Sequence, residues 1–191
     1  MGKRVKIQLN VEASRLFQMS HPTQDDIHER CYLSDDNDGL SETGKIQDFL
    51  SNIYLSQEVE WEGVTNDKWY SIAIDKIVYD LDATNDDFEM CFGNDDSDDL
   101  MLIGKGGTSG NVVATVKDRE SLIGKQNVYK IHFSIHYKEA SKSYIIDPKV
   151  EINPNAASVM PKLDINPSLN VMPKLDINPS SGVTPKLDIN P

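Results

Sequence analysis

Residues 128–138 read VYKIHFSIHYK, and this stretch decides the fold class. Tyr129, Ile131, Phe133, Ile135 and Tyr137 recur at every second position, with Lys130, His132, Ser134 and His136 between them. A period of two places the first set on one face of an extended strand and the second set on the other. A helix would scatter both sets around its circumference.

Working outward, the same period recurs. Towards the C-terminus, Tyr144, Ile146, Val150 and Ile152 share parity and are read as one face of a last strand. Upstream, VVATVKD (112–118) reads as a strand and GKGGTSG (104–110) as a glycine loop. FEMCF (88–92) and LMLIG (100–104) flank the acidic turn GNDDSDD. Segment 69–81, WYSIAIDKIVYDL, alternates on Tyr70, Ile72 and Ile74, then changes phase to Ile77, Tyr79 and Leu81. Such a phase change predicts a bulge or a corner. KIQDFL (45–50) and IYLSQEVEW (53–61) read as strands, and DDNDG (35–39) as a turn. Val5, Ile7, Leu9 and Val11 make a half-buried first strand over 3–11, and 12–30 is a connection with a short helical turn before Pro22. About eight or nine short strands separated by turn signals predict an all-β, antiparallel β-sandwich, not a parallel α/β sheet.

The C-terminal portion carries the most specific pattern. DPKVEINP (147–154), MPKLDINP (160–167), MPKLDINP (172–179) and TPKLDINP (184–191) are four versions of one unit, starting 13, 12 and 12 residues apart. The first belongs to the closing strand of the domain, so the others duplicate a core-forming segment. This divides the chain into a sandwich domain at 1–154 and an extended repeat tail of short strands at 155–191. Leu163 and Ile165, Leu175 and Ile177, and Leu187 and Ile189 stand where Val150 and Ile152 stand in the first unit. The Lys and Asp of each unit occupy the other face. Proline at each end stops such a strand from lengthening and cannot donate to a ladder. A unit of this kind is a half-apolar strand with nothing of its own to pair with; the alternative is a flexible spacer, and the apolar pair kept in register favours docking on a sheet.

Charge narrows the partners. The formal net charge is −12, and the tail, with Lys162, Lys174 and Lys186 against Asp164, Asp176 and Asp188, is neutral, so the excess lies in 1–154. An acidic surface repels phosphate backbones and anionic lipids, which argues against nucleic acid and membrane as partners. No apolar run of about 18 residues is present to span a bilayer. The opening MGKRVKIQLNVEA lacks the apolar stretch of an export signal, because Lys6, Gln8 and Asn10 interrupt it. The expected setting is cytoplasmic, with Cys31 and Cys91 reduced, although their pairing stays open.

Sites for chemistry are few. Asp86, Asp87, Asp95, Asp96, Asp98 and Asp99, with Asp80 and Asp82 nearby, offer clustered carboxylates on loops, the alternative being a calcium site. The expected role is charge that keeps strand edges apart. SDDNDGLSETGK (34–45) imitates an EF-hand loop but has Ser34 and Lys45 where the first and last acidic ligands belong. GKGGTSG lacks the terminal Lys-Ser/Thr of a phosphate loop and precedes a strand. His132 and His136 are four strand residues apart, roughly 13 Å, too far to share a metal. Trp61 and Trp69 could stack on a sugar, but core packing is the expectation for both. No catalytic residues and no cofactor are assigned.

Three stretches together resemble the PixA/AidA-type bacterial inclusion-body family. They are KIQLNVEASRLFQMSHPTQD, GLSETGKIQDFLSNIYLSQEVEW with Val59 and Trp61 at its end, and YKIHFSIHYKEASKSYIIDPKVEI with its Asp-Pro-x-hydrophobic close. The resemblance runs across most of residues 4–152. It implies a cytoplasmic β-sandwich that accumulates in ordered inclusions. Six Met among 191 residues is fewer than the methionine-rich members of that family carry, and the repeat tail lies outside its pattern. The combined expectation is a non-catalytic structural protein whose partner is itself, assembling into filaments or inclusions by strand docking. The alternative is a calcium- or carbohydrate-binding module on a tethering tail.

Overall fold

The structure, a computed structural model, describes residues 3–37, 45–80, 89–93 and 100–154. The described chain is all-β apart from two short helices, α1 (Ala13–Gln18) and α2 (Gln24–His28). β1 (Val5–Val11) buries every second residue as its alternation predicts. It pairs antiparallel with β2 (Cys31–Asp35) and parallel with β4 (Glu58–Val64), and β4 pairs antiparallel with β7 (Val112–Thr115). The first sheet thus has the order β2-β1-β4-β7. The second has the order β3-β10-β8-β5-β6, from β3 (Leu50–Tyr54), β10 (Lys149–Asn153), β8 (Gln126–Tyr137), β5 (Tyr70–Tyr79) and β6 (Met101–Ile103). β9 (Ala140–Ile146) also pairs with β8.

The sheets meet over one apolar core. Trp61 from β4 is buried, packs edge-on against Phe92 and Tyr129, and donates its indole N–H to the Tyr129 hydroxyl at 3.2 Å. That bond satisfies the polar end of a side chain that otherwise contributes apolar surface. Tyr129, Ile131, Phe133 and Ile135 of β8 are all buried, as the alternation of 128–138 predicts. The phase change in 69–81 is a register shift between Ile74 and Lys76 in the β5–β8 ladder. Asp75 is the extra residue there: its carboxylate accepts from Ser134 at 2.5 Å, and its carbonyl accepts from Gly104 N–H at 2.8 Å.

Four expectations change in detail. The sheets are mixed, not purely antiparallel, because β1 runs parallel to β4 and β3 parallel to β10. Parallel neighbours need long connections, and both pairs are joined through other elements of the fold. KIQDFL is a 3-10 turn at Ile46–Asp48 leading into β3. Its buried residues Ile46 and Phe49 are three apart, the period of that turn and not of a strand. IYLSQEVEW breaks at Ser56, whose φ of 60° reverses the chain between β3 and β4. CYLSD at 31–35 forms an additional strand, β2, with Cys31 and Leu33 alternating into the core.

Candidate functional site

The feature that joins fold to sequence pattern is the place where the first repeat unit sits. β8 has one long edge, and two strands share it. β9 pairs with β8 from Ile131↔Ile146 to Tyr137↔Ala140, and β10 continues at Lys149↔Val128 in the same antiparallel register. The last strand read from sequence is therefore continuous in register but interrupted at Asp147-Pro148, where Pro148 has no N–H to give. Even across the break Tyr129 N–H donates to Pro148 O at 3.1 Å.

What changes at the break is the outer neighbour. Beyond β9 lies α2, whose Gln24 side chain donates to Ile145 O at 2.9 Å. Beyond β10 lies β3, in parallel register from Lys149↔Leu50 to Asn153↔Tyr54. β10 is thus an interior strand with backbone bonds on both sides. Lys149 N–H donates to Phe49 O, Leu55 N–H to Asn153 O, Ile152 N–H to Lys125 O, and Gly124 N–H to Ile152 O. Side chains add to these: Asn153 donates to Asn52 Oδ1 at 2.9 Å and Gln126 to Glu151 Oε2 at 3.0 Å. Val150 and Ile152 are fully buried.

At the joint, His28 is buried at the end of α2. Its Nε2 lies 2.9 Å from Gln24 Nε2 and 3.5 Å from Asp147 Oδ1. That oxygen is buried and has no hydrogen-bond partner among the described residues, although the Asp147 side chain as a whole is 34% exposed. Neither residue stands out in the sequence taken alone. A signal is nevertheless there, because position 147 is where the first unit differs in kind from the later ones.

Of the assembly residues expected from sequence, Val150 and Ile152 belong to this slot, while Leu163, Ile165, Leu175, Ile177, Leu187 and Ile189 lie outside the described residues. So do Asp86, Asp87, Asp95, Asp96, Asp98 and Asp99. Among the described residues no group of three or more His, Cys, Asp or Glu is placed to hold a metal. Cys31 and Cys91 are free and buried, and burial pushes both thiols up to about 12, far from nucleophilic. Trp61 packs in the core, but Trp69 does not: it is 84% exposed with a φ of 72°. With Tyr137 and Lys138, itself at φ 53°, it lines a shallow cleft beside the turn that joins β8 to β9. Tyr137 stacks on Tyr70 at 4.7 Å, and Phe17 meets both rings edge-on. A tryptophan held in left-handed backbone next to a turn has no strand parity to direct it inward, so core packing fails for Trp69.

No family model matches the chain, and comparison with curated proteins gives no match. Among solved structures, the chain is similar to the crystal structure of an inclusion body protein, PixA, from Burkholderia cenocepacia J2315. The identity is 8%, the TM-score 0.50, and the likeness covers 79% of this chain and 96% of that one. At that identity the likeness establishes the fold. No helix among the described residues is long and apolar enough to cross a membrane.

Proposed function

We propose that this is a non-catalytic structural protein that assembles with copies of itself, into filaments or ordered cytoplasmic inclusions, by docking its repeat units as β-strands. One observation carries the reading. The unit that the tail copies three times is, in its first version, an interior strand with ladder bonds on both edges and a fully buried apolar pair. The later units keep the groups that hold β10: the Leu/Ile pair at Val150 and Ile152, an acidic residue at Glu151 and asparagine at Asn153. Each is fitted to the β10 slot of a neighbouring subunit, where main-chain bonds give affinity and the apolar pair fixes register.

Burying one Leu/Ile pair contributes roughly 3–6 kcal/mol before ordering costs, which remove much of it. Linkage of three units raises the effective concentration, so docking that is weak singly holds firmly together. The spacing is suitable, since a 12-residue repeat in extended form covers about 40 Å, about the width of a domain of this size. The fold likeness to an inclusion body protein is consistent with the same role.

The test is assembly of the full chain against a chain lacking 155–191, followed by light scattering and electron microscopy. The truncated chain keeps β10 and is expected to remain folded and monomeric. Leu175→Asp with Ile177→Asp, which places carboxylates against the dock, weakens assembly without unfolding the domain. Assembly of the truncated chain equal to that of the full chain would mean that the repeats are spacers.

The exposure of Trp69 favours a second reading, a ligand-binding module. A tryptophan face beside Tyr137 and Lys138 suits the apolar face of a sugar ring. Saturable quenching of Trp69 fluorescence by a simple hexose, lost in Trp69→Ala, would favour it.

A further inference from the structure

Position 147 separates the template strand from its copies. The four units read Asp147, Met160, Met172 and Thr184 there, whereas the Pro-Lys-apolar-acidic-Ile-Asn-Pro that follows is common to all. In the fold this position meets His28. The Gln24 amide donates to Ile145 O and lies 2.9 Å from His28 Nε2, so a neutral His28 accepts at that nitrogen and gives Asp147 Oδ1 nothing. Protonation at His28 Nε2 ends its acceptance from the Gln24 amide, which keeps its bond to Ile145 O, and turns the imidazolium to Asp147 Oδ1, 3.5 Å away, as an ion pair.

We propose that His28 reads position 147 and so decides which unit holds the slot: the chain's own β10 when His28 is protonated, a repeat copy when it is neutral. This rests on the assembly reading above. With His28 neutral, the own strand brings a buried carboxylate oxygen with no donor, a penalty that a strand led by Met160 or Met172 avoids. With His28 charged, the balance reverses, because a methionine leaves a buried imidazolium unpaired.

Other charges near α2 do not mimic this effect. The helix packs against β2 and β9. Burial holds the Cys31 thiol and the Tyr144 phenol in their neutral forms. Lys142 is turned towards α1, donating to Phe17 O and Met19 O at 2.6 and 2.8 Å. Asp35 accepts from Ser51 at the far end of β2, and Tyr32 is partly in solvent. On the α2 segment itself, Asp26 caps the helix with Thr23, Glu29 pairs with Arg30, and Asp25 is exposed.

The sign of the effect is diagnostic. Lowering the pH reduces the magnitude of a −12 charge and by itself favours association. The proposal requires the opposite, because protonating His28 retains each subunit's own strand and closes the slot to copies.

The experiment measures the assembly rate of the full chain at about pH 5.5 and about pH 8, a window that spans histidine titration. The wild-type rate is expected to fall about tenfold at the lower pH. Asp147→Met and His28→Gln should each remove that fall. Met160→Asp with Met172→Asp and Thr184→Asp should also remove it, by making the copies equivalent to the template. A wild-type rate that does not fall, or an Asp147→Met variant that keeps the wild-type profile, overturns the proposal while the assembly reading stands. Assembly that survives deletion of 155–191 overturns the reading beneath it.

Discussion

β10 and β6 are short apolar strands of the same sheet with opposite surroundings. β10 lies between β3 and β8, and its Val150 and Ile152 are fully buried. β6 ends the sheet, pairs with β5 alone among the described residues, and leaves Met101 43% and Ile103 67% exposed. By composition Met-Leu-Ile is the more hydrophobic strand, yet Lys-Val-Glu-Ile-Asn is the one enclosed. Position in the ladder decides this, because an interior strand satisfies both edges while an end strand leaves one for water or another chain. The tail repeats the interior strand and not the edge strand. A copied edge would specify one neighbour, whereas a copy of β10 specifies two and a place in the core.

The comparison is tested most severely by Ile152→Ala. The side chain is fully buried in a strand bonded on both sides, so its loss should destabilise the domain by about 2–5 kcal/mol. Urea unfolding followed by Trp61 fluorescence reads this directly. A loss under about 1 kcal/mol would show that the slot is not well packed and that its occupant contributes little.

Much of this region was legible in the sequence, for identifiable reasons. From Tyr129 to Tyr137, β8 alternates aromatic or aliphatic residues with polar ones, and no other element explains that pattern. The bulge at Asp75 was visible as a phase change because both halves of β5 are apolar. The last strand reads as one piece because Tyr144, Ile146, Val150 and Ile152 share parity, and β8 does hold β9 and β10 in one register. Parallel pairing of β10 with β3 was not legible, since it depends on which distant segment closes the edge. His28 escaped for a similar reason: in sequence it is one residue of a polar connection, and only folding brings it to Asp147. Trp69 escaped because side-chain parity has no meaning in a left-handed turn.

A smaller effect sharpens the comparison at the end of β10. Asn153 donates to Asn52 Oδ1 on β3 in an exposed contact, and every copy keeps the equivalent residue as Asn166, Asn178 or Asn190. Asn153→Ala should lower stability by about 0.5–1 kcal/mol, the value of a hydrogen bond that water partly replaces. The same change in all three copies should slow assembly without altering the melting temperature. An equal loss of stability from both sets would place the copies within the fold of their own subunit.

The smallest effect belongs to β6. Ile103→Ala removes the same atoms as Ile152→Ala, but from a side chain 67% exposed on a strand with one partner among the described residues. Stability should change by no more than about 0.5 kcal/mol, because little apolar surface returns to water that was not already there. The assembly rate should also hold, since the repeat units are matched to the β10 slot and not to this edge. Ile103→Lys sets a stricter condition, as a lysine on an edge strand opposes pairing with another chain. Assembly that continues in the Ile103→Lys variant confines docking to the β10 slot. Assembly that stops in that variant, with the domain still folded, would make the β6 edge a second docking surface and end the contrast between the two strands.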